Sequence, residues 1–233
     1  MHLLLSGEGA SDIGSCDMGL DLCTGEQFKA GPMSMIVEQL VELSQGFDFS
    51  YLENDAVSFI SESYLAENKL PTFRKKMSFR GKKRPTETKY YFENARSLAM
   101  AAKQKSKEVN DMVIAVLFRD SDGTASAGRG DWQNKRTSMI KGFEAEAYEL
   151  GVPMVPKPKS EAWLLCAVKD NSYQACDNLE NESGNDKGMI PLKEQFSEAL
   201  NGEVSTLDIN DMLRDKRIDV EQIDMPSFNQ FKM

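Results

Sequence analysis

This sequence predicts an α/β fold, a doubly wound and mainly parallel sheet flanked by helices, and three observations lead there. Short β-rich apolar runs at 2–6, 55–60, 113–118 and 152–155 alternate with amphipathic helical stretches over the first 168 residues. The run at 113–118, VIAVLF, is apolar at successive positions, as a strand covered on both faces must be. Acidic residues stand where three of these runs end: Glu8, the pair Asp120 and Asp122, and Glu161. Open α/β sheets place their ligands outside the carboxyl ends of the strands.

Taken in order, HLLLS at 2–6 reads as a short buried strand running into Gly7-Glu8-Gly9-Ala10-Ser11-Asp12. Small residues around a lone glutamate suggest a tight turn that presents the carboxylate at the strand end. Asp12 faces the same crevice if a helical turn starts near Ala10; as a helix cap it would not. Residues 13–31 read as a loop. At 33–45, Met33, Ile36, Val37, Leu40, Val41 and Leu43 line one face of a helix that ends before Gly46. A strand over 55–60 and a short helix over 62–67 follow. Pro71 opens a basic stretch in which Arg74, Lys75, Lys76, Arg80, Lys82, Lys83 and Arg84 interleave with Phe73, Met77 and Phe79. That pattern is compatible with a nucleic-acid surface; a solvated basic loop is the blander reading.

Residues 86–107 read as a long helix and 113–118 as the central strand. Side chains two apart on a strand point the same way, so Asp120 and Asp122 can converge. A small, polar stretch at 124–134 reads as a loop and 136–150 as a helix. Residues 152–155 form a short strand, and Ser160 can cap the next helix, with Glu161 in its first turn. An irregular segment at 170–188 precedes helices at 192–200 and 209–215, and Phe228 and Phe231 in the tail are available to dock on the body.

The 233 residues suffice for one substantial core, so the chain is read as a single domain. Its core covers about 1–168, with a basic insertion at about 46–85 and a C-terminal extension at about 169–233. With 40% apolar and 28% charged residues the composition is that of an ordinary globular protein. No apolar run approaches the ~20 residues a membrane helix needs. HLLL is too short, and lacks the basic start, for a secretion signal. The expectation is a cytoplasmic protein without a membrane partner.

Cys16, Cys23, Cys166 and Cys176 lack CxxC spacing and His2 is the only histidine, which disfavours structural zinc and histidine-assisted nucleophiles. Catalysis would then run on carboxylates and lysines, which usually means a bound metal. A net charge of −9 argues against indiscriminate nucleic-acid binding, but the basic patch can still steer a phosphate backbone.

SGEGASD after the first strand and RDSDG after a later one resemble the Toprim (topoisomerase–primase) family, including small stand-alone Toprim-like proteins and the Toprim domain of overcoming-lysogenization-defect nucleases. The resemblance covers most of residues 1–168 and implies a Toprim-like, Rossmann-like fold with a helical and loop insertion. It implies catalytic roles for Glu8, Asp120 and Asp122, with Asp12 and Glu161 as further metal ligands. The chemistry implied is phosphodiester hydrolysis in nucleic acid with Mg2+ (or Mn2+), in phage defence or nucleic-acid processing beside an ATPase partner. The chain has no GxxxxGK(S/T) phosphate loop of its own. Lys75, Lys76, Arg80, Lys82, Lys83, Arg84, Lys157 and Lys159 are the candidate nucleic-acid contacts, and Arg119 and Arg136 could also face transition-state charge.

Asp120-Ser121-Asp122-Gly123-Thr124 also resembles the first motif of haloacid-dehalogenase-type phosphatases. There Asp120 would be the nucleophile and Asp122 the general acid/base, completed by a later lysine and an acidic pair such as Asp211 and Asp215. That motif normally opens its domain, whereas more than a hundred residues precede it here. A calcium loop is disfavoured by Ala125 and Asp131 where glycine and glutamate are needed. A non-catalytic binding subunit is the remaining alternative.

Overall fold

The first apolar run becomes β1 (His2–Gly7), whose side chains alternate between two cores, Leu3 and Leu5 on one side and Leu4 on the other. The computed structural model describes residues 1–71, 86–121, 131–185 and 188–232. After β1 come three short strands, β2 (Gly14–Cys16), β3 (Leu22–Thr24) and β4 (Phe28–Ala30). They are followed by α1 (Pro32–Gln45), β5 (Val57–Ser61), α2 (Glu62–Glu67), α3 (Thr86–Val109) and β6 (Val113–Phe118). The chain continues through α4 (Trp132–Ala145), β7 (Gly151–Met154), α5 (Ser160–Val168), α6 (Leu192–Ala199), α7 (Thr206–Arg214) and α8 (Pro226–Lys232).

The main sheet has the order β3-β5-β1-β6-β7. β5, β1, β6 and β7 run parallel, and β3 pairs antiparallel with β5 at one edge. From β1 the chain moves to one neighbour, β5, and then crosses to the other, β6. The gap between the carboxyl ends of β1 and β6 is therefore the point where the winding reverses, and a doubly wound sheet opens its binding crevice at such a point. Helices cover both faces. Ile36 of α1, Trp163 of α5 and Phe228 of α8 pack with Leu3, Leu5, Val116 and Phe118. Leu65 of α2, Tyr91 and Leu98 of α3, and Met139 and Phe143 of α4 pack with Leu4, Ala115 and Leu117.

The expected strands and helices lie where the sequence places them, with differences that have local causes. The 13–31 segment is not plain loop: β2 and β4 form an antiparallel pair and β3 joins the main sheet. Strands of three residues are too short to leave a periodic signal. α4 starts at Trp132 because Asp131 caps it, accepting from the Asn134 amide at 2.8 Å. α7 likewise begins early, on a capping box between Ser205 and Asp208. In the tail, Phe228 and Phe231 pack on Trp163 with ring centroids 4.8 and 5.9 Å away, and the indole N–H of Trp163 donates to Ser227 at 2.8 Å. No helix among the described residues is long and apolar enough to cross a membrane.

All four cysteines are paired, Cys16 with Cys23 and Cys166 with Cys176. The first pair ties β2 to β3, and the second ties α5 to the short turn Cys176–Asn181. Closing loops of this length stabilises a fold by ~2–3 kcal/mol each in the chain-entropy account. Because all four cysteines are buried, the test is iodoacetamide in denaturant without reductant, which is expected to leave them unlabelled. Replacing Cys166 and Cys176 together by serine should lower Tm by roughly 4–12 °C. Four labelled cysteines in the unreduced, denatured protein would contradict the pairing.

Candidate functional site

Gly7 ends β1 against β6 so closely that a Cβ there would lie 2.5 Å from the Phe118 carbonyl oxygen. Glu8 follows in an extended conformation, and Gly9 turns the chain at φ +81°, in the left-handed region that favours glycine. The turn continues as one π-helical stretch, Gly9–Ile13, which folds Asp12 back over the strand end. A Cβ on Gly9 would fall 2.4 Å from an Asp12 carboxylate oxygen, so the space a side chain would need is filled by that carboxylate. The two glycines of SGEGASD thus place both acids.

Asp120 stands just beyond β6 on backbone that is held along its length. The Arg119 amide donates to Met154 and the Ser121 amide to Pro156, at 3.0 and 3.2 Å, which carries the pairing of β6 past its end. The Tyr91 hydroxyl donates to the Asp120 carbonyl at 2.9 Å, and buried Lys135 donates to the Ser121 carbonyl. From the facing side comes α5. The Ser160 amide donates to Asp120 at 2.9 Å, and the Ser160 hydroxyl donates to Asp12 at 2.6 Å and lies 3.4 Å from Glu161. One fully buried serine therefore touches three of the predicted acids. The free amides of a helix's first turn suit anionic neighbours.

These acids repel one another. The Asp120 carboxyl is pushed well above the usual carboxylate range, first by loss of water around it and then by Asp12, Glu161 and, more weakly, Glu8; the Ser160 amide pulls it the other way. Glu8 faces a cation of the chain's own. The Arg119 guanidinium sits 3.2 Å from Glu8 and 2.5 Å from Glu62, over the rings of Tyr90 and Tyr91 at 4.5 and 5.2 Å. Burial opposes the charge on Arg119, but Glu8 and Glu62 outweigh it and hold the guanidinium protonated.

Glu8, Asp12, Asp120 and Glu161 thus gather at the switch point between β1 and β6. Asp122 and the basic residues Lys75, Lys76, Arg80, Lys82, Lys83 and Arg84 lie outside the described residues. Lys157 is 3.8 Å from buried Glu180, which also accepts the Ser227 amide at 2.6 Å, and so serves the docking of α8. Lys159 immediately precedes α5 beside Ser160. Arg136 donates to the Gln230 carbonyl at 3.0 Å and faces α8. Three residues of the site were missed by the sequence reading: Glu62, Ser160 as a ligand of the acids, and Lys135. Glu62 carries the signal that marked the others, an acid directly after a strand, here in VSFISE. Lys135 has no signal of its own, since its burial under Ser121 is purely tertiary.

The donor set suits a hard divalent cation, being all carboxylate oxygens, and the upward push on Asp120 marks a shortage of positive charge around it. The side-chain arrangement is not yet a cage: among the described residues no three acids stand at metal-binding spacing. Arg119 engages Glu8 and Ser160 engages Asp12. No family model, no curated protein and no solved structure matches the chain.

A carboxyl whose folded pKa is raised stabilises the fold below its ordinary value and loses that contribution as pH rises through the raised value. Asp120→Asn removes the repulsion while keeping an acceptor for the Ser160 amide. In divalent-free buffer its Tm at pH 8 is expected to exceed that of the unsubstituted protein by roughly 2–4 °C, with the difference closing near pH 4. Thermal melts across pH check this; a lower Tm for the variant at pH 8 would refute the strained cluster.

Proposed function

We propose that this protein is a Toprim-like nuclease that hydrolyses phosphodiester bonds in nucleic acid with Mg2+ or Mn2+. The observation that carries this reading is the meeting of Asp12, Asp120 and Glu161 around Ser160, beside Glu8, at the sheet's switch point. Glu8, Asp12, Asp120 and Glu161 would hold the cation, with Asp122 as the second acid of its motif. The bound cation would supply activation of water and neutralisation of phosphate charge. Ser160 orients Asp12 and Asp120 by donating to both. Arg119 offers a planar guanidinium suited to a phosphate, at the cost of releasing Glu8 or Glu62. The basic stretch at 74–84, with Lys159, would guide the nucleic-acid backbone toward the crevice.

On this reading the protein acts in the cytoplasm, as the effector of a phage-defence or nucleic-acid-processing system with an ATPase subunit as partner. The two cysteine pairs of the structure are uncommon in that compartment, so labelling of the denatured, unreduced protein bears on the setting as well as on the fold.

One observation favours the dehalogenase-type alternative, namely the buried lysine, Lys135, held on the Ser121 carbonyl beside Asp120. One weighs against it: Asp211 is engaged with Arg214 at 2.9 Å on the exposed side of α7, not with the crevice.

Separate Glu8→Gln and Asp120→Asn variants, assayed with Mg2+ on a labelled oligonucleotide and on a small phosphomonoester, discriminate the readings. Nuclease turnover is expected to fall ~100-fold or more in each variant. Nuclease activity surviving Glu8→Gln would remove the Toprim-like site. Phosphatase turnover kept in Glu8→Gln and lost in Asp120→Asn would establish the alternative.

A further inference from the structure

On the α3 side of the sheet, apart from the acidic crevice, the β3–β5 edge leaves a cavity of about 360 Å3. That is within the range of small-molecule sites. Leu4 and Ile60 of the sheet, Tyr64 of α2 and Ala101 of α3 give it an apolar wall. Gln27, Gln104, Lys105 and Glu108 supply polar groups around it, and two hydroxyls converge on its wall. The hydroxyls of Thr24 and Ser58 both line the cavity and lie 2.9 Å apart, and Ser58 is 2.9 Å from Nε2 of His2 behind it. Ser58 and His2 are buried, so the three groups form one chain from the interior to the cavity. Lys105 of α3 stands at the same place.

The direction of this chain decides what the cavity can bind. Burial and then the positive charges of Lys105 and the N-terminus push His2 down to about 4, with only Asp111 opposing, so the ring is neutral at neutral pH. A neutral ring keeps one N–H. When Nε2 carries it, His2 donates to Ser58, Ser58 donates to Thr24, and the Thr24 hydroxyl is left to donate into the cavity. Thr24 and Lys105 then both present donors to the cavity. Glu108, which lines the same cavity, pairs with Lys105 at 3.7 Å through one oxygen and accepts from Gln104 at 3.0 Å through the other, so this long ion pair is the contact a ligand carboxylate has to displace.

We propose that this cavity binds a small amphipathic monocarboxylate, its carboxylate on Thr24 and Lys105 and its apolar body on Leu4, Ile60 and Ala101. The site is independent of the acidic crevice and of the nuclease reading.

His2 is the only histidine of the chain, so a single imidazole signal reports on the site. Sodium octanoate titrated into the full-length protein at neutral pH should shift that signal saturably, with a Kd on the order of 1 mM or tighter for ~10 heavy atoms. Octanol and octylamine, of equal chain length, should bind at least ~5–10-fold more weakly. Thr24→Val, which keeps the side chain's shape, should weaken octanoate ~5–10-fold. Ala101→Phe, which fills the cavity, should abolish the shift. The proposal is overturned if octanoate leaves the imidazole signal unmoved, if octanol binds as tightly, or if Thr24→Val leaves the affinity unchanged.

Discussion

Asp120 shares a partly buried crevice with Asp12, Glu161 and Glu8, and much of the fold's detail serves to contain that repulsion. Ser160 gives its amide to Asp120 and its hydroxyl to Asp12, so the start of α5 is fixed to the end of β6 and to the turn after β1. Arg119, spread over Tyr90 and Tyr91, draws the charge of Glu8 and Glu62 to the other side of the crevice. Tyr91 and Lys135 hold the backbone beneath Asp120 from the helical layer. Removing the acids would relax these contacts, and a crevice kept strained in this way is typical of function set against stability.

The topology explains why this edge of the sheet and no other gathers the acids. All four parallel strands point their carboxyl ends the same way, and the winding reverses between β1 and β6. Gly7 allows those two strands to approach within a distance no side chain would permit, so Glu8 and Arg119 emerge side by side. The C-terminal helices act at a distance on the same architecture. Phe228 and Phe231 cover Trp163, and Glu180 ties Ser227 to Lys157, so the extension braces α5 and with it Ser160.

Much of this was legible in the residues. An apolar run such as VIAVLF admits few readings, and the helices at 33–45 and 86–107 carry a clear period. An acid directly after a strand identified Glu8 and Asp120, an acid in the first turn of the helix that follows a strand identified Glu161, and the first rule applied to VSFISE would have added Glu62. Other features left no local trace. β2, β3 and β4 are too short to be periodic, and the cysteine pairs depend on which chain ends meet. The Ser160 hydroxyl reads as a cap in the sequence, whereas here it serves Asp12, 148 residues away in the chain. His2, which the sequence marks only as the single histidine, proves to be buried at the end of a hydroxyl chain.

The central claim is that the acids at the β1–β6 switch point form one cation-seeking cluster. Calorimetric titration of the divalent-free protein with MnCl2 at pH 7.5 tests it most directly. Saturable binding is expected, weakened at least ~10-fold by Asp120→Asn and by Glu161→Gln separately. Heats that never saturate, or an affinity indifferent to both substitutions, would contradict the account.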